Sequence, residues 1–234
     1  MEKDIVYHAL LEGMEGRRCP VCEQVEKSVR QSMRSILYES MTDFSIRTRV
    51  RDARGLCHYH SGMFLQEGDP LAHAILYGDI LRSALHDMEY DDFEKYEHHS
   101  GCIFCESAAE AEEIYRKACY HALHEAEFME KYRTEGALCM KHLHAVEQEA
   151  EKAGEAPEFY TSVAQATVNQ YQTLIHDLNE IQRKNDYHNT AEKWTQREKE
   201  AWQCAVGLVN DRVHLSADAP APKKAGLFSR RAKK

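Results

Sequence analysis

Cys19-Pro-Val-Cys22 and Cys102-Ile-Phe-Cys105 are two Cys-x2-Cys motifs, and each is followed at a long interval by a Cys-x2-His motif. The intervals are nearly equal. The first Cys-x2-Cys motif lies 34 residues before Cys57-His-Tyr-His60, and the second lies 33 residues before Cys139-Met-Lys-His142. An internal repeat of this kind determines the architecture of a chain before any single helix is assigned. The sequence therefore predicts two tandem copies of one unit.

The chemistry of these motifs indicates metal binding. Three cysteine thiolates and one imidazole form a tetrahedral zinc site, and two ligands separated by two residues can reach one ion from a single tight turn. Because protein atoms would fill all four coordination positions, none is left for water or substrate. We therefore expect two structural zinc ions per chain and no catalytic residues.

The simplest pairing gives each copy of the repeat its own ion. The eight predicted ligands are then Cys19, Cys22, Cys57 and His60 for the first ion, and Cys102, Cys105, Cys139 and His142 for the second. Exchange of half-sites between the copies is the alternative that the sequence leaves open. Iron or an iron–sulfur cluster is the alternative metal, because the same residue types can hold it. His58 could replace His60, but the second copy has Met140 at the matching position.

The remaining cysteines and the other histidines near the motifs lack a ligand pattern. They include Cys119 and Cys204, His121 and His124, and the pair His98 and His99. We expect the two thiols to be buried and the histidines to lie on the surface, because a third metal site would lack a fourth ligand. Cys-Pro-Val-Cys could also be a redox dithiol, but no strand–helix pattern accompanies it. No nucleotide-binding or hydrolase motif is present.

The stretches between the motifs predict helices, because Glu, Ala, Lys, Arg, Leu and Gln dominate them. A helix over about 20–41 and helices starting at Pro70 and Pro157 carry apolar residues at helical spacing. The predicted buried stripes are Val21, Val25, Val29, Met33 and Ile36; Leu71, Ile75, Leu81, Leu85 and Met88; and Phe159, Val163, Ala166, Tyr171, Leu174, Leu178 and Ile181. No alternating pattern predicts a strand. The predicted fold is all-α.

The repeats and the distribution of charge divide the chain into four segments. We predict a first repeat over 1–100, a second over 101–186, a helical extension over 187–215 with a helix over about 190–215, and a flexible basic tail over 216–234. The net charge is −9, but the last twelve residues hold six basic residues and no acid. The 24 basic and 39 acidic residues of positions 1–222 then give a body charge of −15. This acidity counts against nucleic-acid binding by the body.

The tail has its own possible partners. It could contact anionic lipid or nucleic acid non-specifically, and a solubilising disordered end is the alternative. No apolar run approaches the roughly 18 residues of a membrane span, and the charged N-terminus, Met1-Glu2-Lys3-Asp4, is unlike a signal peptide. Eight cysteines without a secretory signal favour metal binding in the cytoplasm.

The motifs, taken together, resemble an uncharacterised bacterial and archaeal family, the domain of unknown function numbered 6062. The matching segments are 19–22, 55–60, Gly-Asp-Pro-Leu-Ala-His-Ala-Ile-Leu-Tyr at 68–77, 102–105 and 138–142. The resemblance covers about residues 5–185 and implies the same eight metal ligands. Residues 190–215 and the tail lie outside it.

The sequence is compatible with three hypotheses for function. The first is a zinc-stabilised, non-enzymatic module that binds an unknown protein partner. The second is a sensor of oxidants or metal whose thiolates release zinc. The third is an enzyme with a site between the repeats.

Overall fold

The structure, a computed structural model, describes residues 4–40, 42–90, 101–189 and 191–210. Within these ranges it contains ten α-helices, one 3₁₀ turn at Glu15–Arg17 and no strand. The helices are α1 (Ile5–Glu12), α2 (Pro20–Glu39), α3 (Phe44–Asp52), α4 (His58–Gln66), α5 (Pro70–Glu89), α6 (Ile103–Ala122), α7 (Ala126–Glu135), α8 (Met140–Ala153), α9 (Pro157–Lys184) and α10 (Gln196–Asn210). The all-α prediction is confirmed.

The prolines start the helices that the sequence assigned to them. Pro20, Pro70 and Pro157 are the first residues of α2, α5 and α9. At this position the missing N–H costs nothing, because the first turn of a helix has no intrahelical acceptor for it. Asp69 caps α5, since its carboxylate accepts from the Ala72 N–H at 3.0 Å. The helix predicted over 190–215 is α10, and residues 211–215 lie outside the described part of the chain.

The same order of elements surrounds both pairs of motifs. Each Cys-x2-Cys motif opens a 20-residue helix, α2 or α6, and a short helix, α3 or α7, follows it. Each Cys-x2-His motif then opens α4 or α8, and a proline opens the long helix α5 or α9. The descent of both stretches from one duplicated unit stays a prediction.

Two of the three predicted apolar stripes face inward. In α2, Val21, Val25, Val29 and Met33 are buried, and Leu37 rather than Ile36 is the buried residue of the last turn. None of the seven residues predicted for α9 is exposed. The helical spacing of the apolar residues therefore predicts the buried face in both segments.

The stripe predicted for α5 is wrong. Leu71, Leu81, Leu85 and Met88 are 53–71% exposed, and the buried residues are Ala72, Leu76 and Ile80. Small and large apolar residues offer two faces at helical spacing in this segment, and the neighbours of the helix select one of them. On the selected face α5 packs against α3, and the Ile80 side chain lies 3.7 Å from where a Cβ on Gly55 would be.

The chain forms two compact units. The first consists of Met1–Gly13 and Val21–His121, and the second of Met14–Pro20 and Ala122–Lys234. In the first, the Gln24 side chain donates to the Ala9 carbonyl at 2.6 Å and ties α2 to α1. In the second, α9 packs against α7, α8 and α10. The predicted division into repeats at 100/101 stays a prediction, and the predicted tail at 216–234, like His98 and His99, lies outside the described residues.

Candidate metal centres

Two groups of cysteine and histidine side chains could each hold a metal ion. Cluster 1 consists of Cys19, Cys22, Cys139 and His142, and cluster 2 of Cys57, His60, Cys102 and Cys105. Within each cluster the four candidate ligand atoms lie within 4.8 Å of one another. All eight residues singled out from the sequence belong to one cluster or the other. His58 is exposed and belongs to neither.

The pairing within each copy of the repeat is wrong. Each Cys-x2-His motif lies beside the Cys-x2-Cys motif of the other copy, which is the exchange that the sequence left open. In cluster 2 the reason is visible in the packing of α4 and α6. The rings of Phe64 and Phe104 have centroids 5.6 Å apart, and Phe104 also lies 6.1 Å from the His60 ring. This aromatic contact brings the start of α4 to the start of α6.

All four motifs occupy the start of a helix. Cys57 and Cys139 are the N-caps of α4 and α8, with extended backbone angles, and the partner histidine lies in the first turn. Cys19 and Cys102 directly precede α2 and α6 in the same way. The N–H groups and the positive end of the helix dipole favour a thiolate at such positions. Each cluster thus lies at two helix N-termini, which offsets part of the charge of three thiolates.

The distances in cluster 2 fit a tetrahedral ion. The His60 Nδ1 atom lies 3.2 Å from the Cys57 Sγ, 3.4 Å from the Cys105 Sγ and 3.6 Å from the Cys102 Sγ. The Cys57 and Cys105 sulfur atoms are 3.6 Å apart. With a zinc–sulfur bond of about 2.3 Å and a zinc–nitrogen bond of about 2.0 Å, a tetrahedron requires about 3.8 Å between sulfur atoms and about 3.5 Å from sulfur to nitrogen. The cluster needs only small adjustments to reach that geometry.

Cluster 1 has the same dimensions. The His142 Nδ1 atom is 3.2 Å from the Cys139 Sγ and 3.4 Å from the Cys19 Sγ. The His142 side chain is almost completely buried, as is the His60 side chain of cluster 2. Both rings therefore present Nδ1 to the thiols from a fixed position, as a metal ligand requires.

Two thiols of cluster 2 have pKa values shifted in opposite directions. Burial disfavours the thiolate of Cys102, but hydrogen bonds from His60 and from nearby backbone N–H groups outweigh it and lower its pKa. Burial and the neighbouring Cys57 and Cys102 sulfur atoms raise the pKa of Cys105 to about 12. A divalent cation would offset the repulsion between the neighbouring thiolates, because it stabilises all three of them at once.

Two tyrosines hold the backbone that leads into cluster 1, although neither belongs to a sequence motif. The Tyr132 hydroxyl accepts from the Leu138 N–H at 3.2 Å, and the Tyr171 hydroxyl donates to the Leu138 carbonyl at 2.9 Å. The Tyr132 hydroxyl also bonds to the Thr167 hydroxyl. Since Cys139 is the next residue, these bonds orient one ligand. No local pattern identifies them, because the hydroxyls reach Leu138 from α7 and α9, outside the Cys-x2-His motif.

The remaining cysteines are buried, as expected. Cys119 and Cys204 are at most 5% exposed, and the Cys204 thiol donates to the Gly16 carbonyl at 2.9 Å. His121 and His124 are exposed. No disulfide joins any of the eight cysteines, all of which lie in the described ranges.

No described helix is long and apolar enough to cross a membrane.

Comparison with known proteins places the chain in a family. The sequence model of the family described as "Family of unknown function (DUF6062)" matches residues 93–214, about half of the chain. The "Uncharacterized 23.9 kDa protein in xynA 3'region" of Caldicellulosiruptor sp. (strain Rt8B.4) is 31% identical over 204 residues, which cover 86% of this chain and 98% of the relative. The chain belongs to the DUF6062 family. No solved structure matches it.

The family assignment confirms the resemblance noted from the motifs and corrects its extent. The DUF6062 match contains Cys102, Cys105, Cys139 and His142, and it continues to residue 214. Helix α10 therefore lies in the matched region, although the resemblance carried by the motifs ends at about residue 185.

Proposed function

We propose that this DUF6062 protein binds one zinc ion at each cluster and works as a non-enzymatic module that binds another protein in the cytoplasm. The observation that carries the zinc proposal is the assembly of eight thiol and imidazole side chains into two groups of tetrahedral size. Three thiolates and an imidazole fill the coordination sphere of zinc, so the ions would be structural. The free thiols suit a reducing compartment.

The sulfur spacing favours a single ion over an iron–sulfur cluster. Thiolates that share one ion lie close together, whereas thiolates bound to different irons of a cluster are spread around it. The 3.6 Å separation between the Cys57 and Cys105 sulfur atoms fits the first arrangement. Zinc also suits a site in which sulfur dominates and no position stays open.

The exposed face of α5 supports a role in protein binding. Leu81, Leu85 and Met88 follow one another at helical spacing and are 68%, 59% and 53% exposed. Contiguous apolar side chains on a surface are typical of interaction sites. The basic tail, which lies outside the described residues, would add non-specific attraction to anionic lipid or nucleic acid.

Metal analysis of the purified chain tests the zinc proposal. We expect two zinc ions per chain by plasma mass spectrometry and no visible absorption band. Iron at stoichiometric level, or less than one zinc in protein purified under reducing conditions, would refute it. For the interaction role, the double variant Leu81→Ser and Leu85→Ser should lose partners that the wild type retains from its native extract. Ile175→Ser, an exposed apolar position on α9, is the matched control.

A second candidate function, an oxidant sensor, rests on the exposure of three ligands. Cys22, Cys57 and Cys105 are half-buried, whereas Cys19, Cys102 and Cys139 are buried. Hydrogen peroxide could oxidise the Cys57 and Cys105 thiolates to a disulfide, taking two electrons and two protons to give two waters and freeing the ion. A chromogenic chelator should then report about one zinc released per chain. Full zinc retention under peroxide that oxidises free cysteine would exclude this function.

A further inference from the structure

A cationic pocket lies between α3 and α5, within the first compact unit. Its volume is about 420 Å³, and its lining includes Arg47, Arg51 and Arg82. A histidine and the single carboxylate of Asp79 also line it. Volumes of roughly 300–1,000 Å³ are typical of small-molecule sites. Three guanidinium groups against one carboxylate make the pocket basic, in a body whose charge over 1–222 is −15.

Asp79 holds two of the three arginines in place by hydrogen bonds. Its carboxylate accepts from the Arg47 Nε at 2.7 Å and from an Arg82 guanidinium nitrogen at 2.6 Å. Hydrogen bonds from Arg82 and Arg47 hold the pKa of Asp79 below its ordinary value, so the group stays ionised at neutral pH. One carboxylate cannot satisfy ten guanidinium N–H donors. The two arginines therefore keep donors available for a ligand while their positions are fixed.

The rest of the lining adds donors and an apolar surface. Arg51 pairs with the neighbouring Asp52 on its own helix at 3.1 Å, and the two side chains are 39% and 64% exposed. Thr48 lines the pocket, and its hydroxyl oxygen is buried without a hydrogen-bond partner in the described part of the chain. An unsatisfied buried hydroxyl is costly and indicates a missing partner. Phe44 also lines the pocket, and this residue is 76% exposed.

We propose that this pocket binds a small phosphate-bearing molecule that has a planar ring, a ligand of nucleotide type. Guanidinium groups bind phosphate oxygens with charge-assisted, often bidentate hydrogen bonds. The Phe44 ring supplies a face on which a planar ring can stack. This ligand site is independent of the metal clusters and does not depend on the zinc proposal.

Calorimetric titration of the full-length protein, as purified, tests the site with AMP, adenosine and inorganic phosphate at constant ionic strength. We expect AMP to bind, phosphate to bind more weakly, and adenosine to bind least. Arg51→Ala should weaken AMP binding by about tenfold or more, the loss typical of one charge-assisted phosphate contact. Phe44→Ala should weaken the binding of AMP and leave that of phosphate unchanged.

Arg49→Ala is the matched control. Arg49 lies on the same helix, is not among the residues that line the pocket, and pairs with Glu106 at 2.6 Å on the surface. Its removal should leave AMP affinity unchanged, and circular dichroism should show both arginine variants folded. The proposal is overturned by the absence of AMP and phosphate binding at millimolar concentration, or by adenosine binding as tightly as AMP. Equal losses of AMP affinity in Arg49→Ala and Arg51→Ala would also overturn it. Binding of polyglutamate without any binding of AMP would overturn it as well.

Discussion

Paired substitutions can test which half-sites share a metal ion. Cys57 and Cys105 belong to cluster 2, so replacing both with serine should remove one ion and leave cluster 1 loaded. Cys19 and Cys57 lie in the same sequence repeat but in different clusters. Replacing those two should therefore remove both ions. If the half-sites paired within the repeats, the Cys57/Cys105 variant would keep no ion and the Cys19/Cys57 variant would keep one.

The energetic difference between the two double variants should be large. A structural zinc ion contributes on the order of 10 kcal/mol to folding, which is comparable with the whole stability of a domain, about 5–15 kcal/mol. Once Cys57→Ser has emptied cluster 2, Cys105→Ser has little left to remove, so the two effects are strongly non-additive. Cys19→Ser and Cys57→Ser act on separate ions and should nearly add. We expect the second double variant to be largely unfolded.

Zinc content after dialysis against a chelator, together with urea denaturation, measures both quantities. Cys119→Ser is the control, because Cys119 is buried in α6 outside both clusters. It should keep two ions and lose only about 1–2 kcal/mol. One zinc in the Cys19/Cys57 variant and none in the Cys57/Cys105 variant would refute the pairing.

Three further predictions concern the second compact unit. Tyr132→Phe should lower the free energy of unfolding by about 1–3 kcal/mol in urea, because it leaves the buried Leu138 N–H unsatisfied. Lys184→Met should lower the free energy of unfolding by about 3–5 kcal/mol in the same assay, because it removes the ammonium group that lies 2.7 Å from the buried carboxylate of Glu198. In an acid titration of stability, Asp177→Asn should behave differently from the wild type. Burial opposes ionisation of Asp177, but Arg17 and Arg197 outweigh it and lower its pKa below 3.8. The stability that this carboxylate contributes is present above pH 3.8 and is lost as the pH falls through the lowered pKa, so the advantage of the wild type over Asp177→Asn should shrink there.

Each of these predictions has a control in the same unit. Tyr187→Phe and Lys152→Met alter exposed side chains and should change stability by less than about 0.5 kcal/mol. For the acid titration, the Tyr187→Phe variant should lose stability together with the wild type as the pH falls. If the exposed variants cost as much as the buried ones, the contacts described here do not determine the stability of the unit.

The sequence was sufficient for the local features of the fold. Pro20, Pro70 and Pro157 marked helix starts because the constraint on proline acts within one turn. The spacing of the motifs identified all eight residues of the two clusters, because two ligands three positions apart reach one ion within a single turn. Each of these signals depends on residues that are neighbours in the chain.

Features that depend on packing between helices could not be predicted from the sequence in the same way. The two Cys-x2-Cys motifs are chemically equivalent, so the composition of a half-site cannot select its partner. In cluster 2 the contact of Phe64 with Phe104 accompanies that selection, and these residues lie on different helices. The buried face of α5 is a similar case, because both Leu81 and Ile80 belong to stripes with a helical period. The helix α3 that packs on one of those stripes decides between them.

The exchange of half-sites has a consequence for the history of the chain. In each cluster, one copy supplies the Cys-x2-Cys motif and the other supplies the Cys-x2-His motif. A lone ancestral copy with this geometry would have held two incomplete sites, and two identical subunits would have completed them symmetrically. If the two stretches descend from one duplicated unit, the present chain has the ligand arrangement of such a homodimer joined by a peptide. We expect separately produced segments 1–100 and 101–186 to retain zinc when they are made together and to lose it when each is made alone.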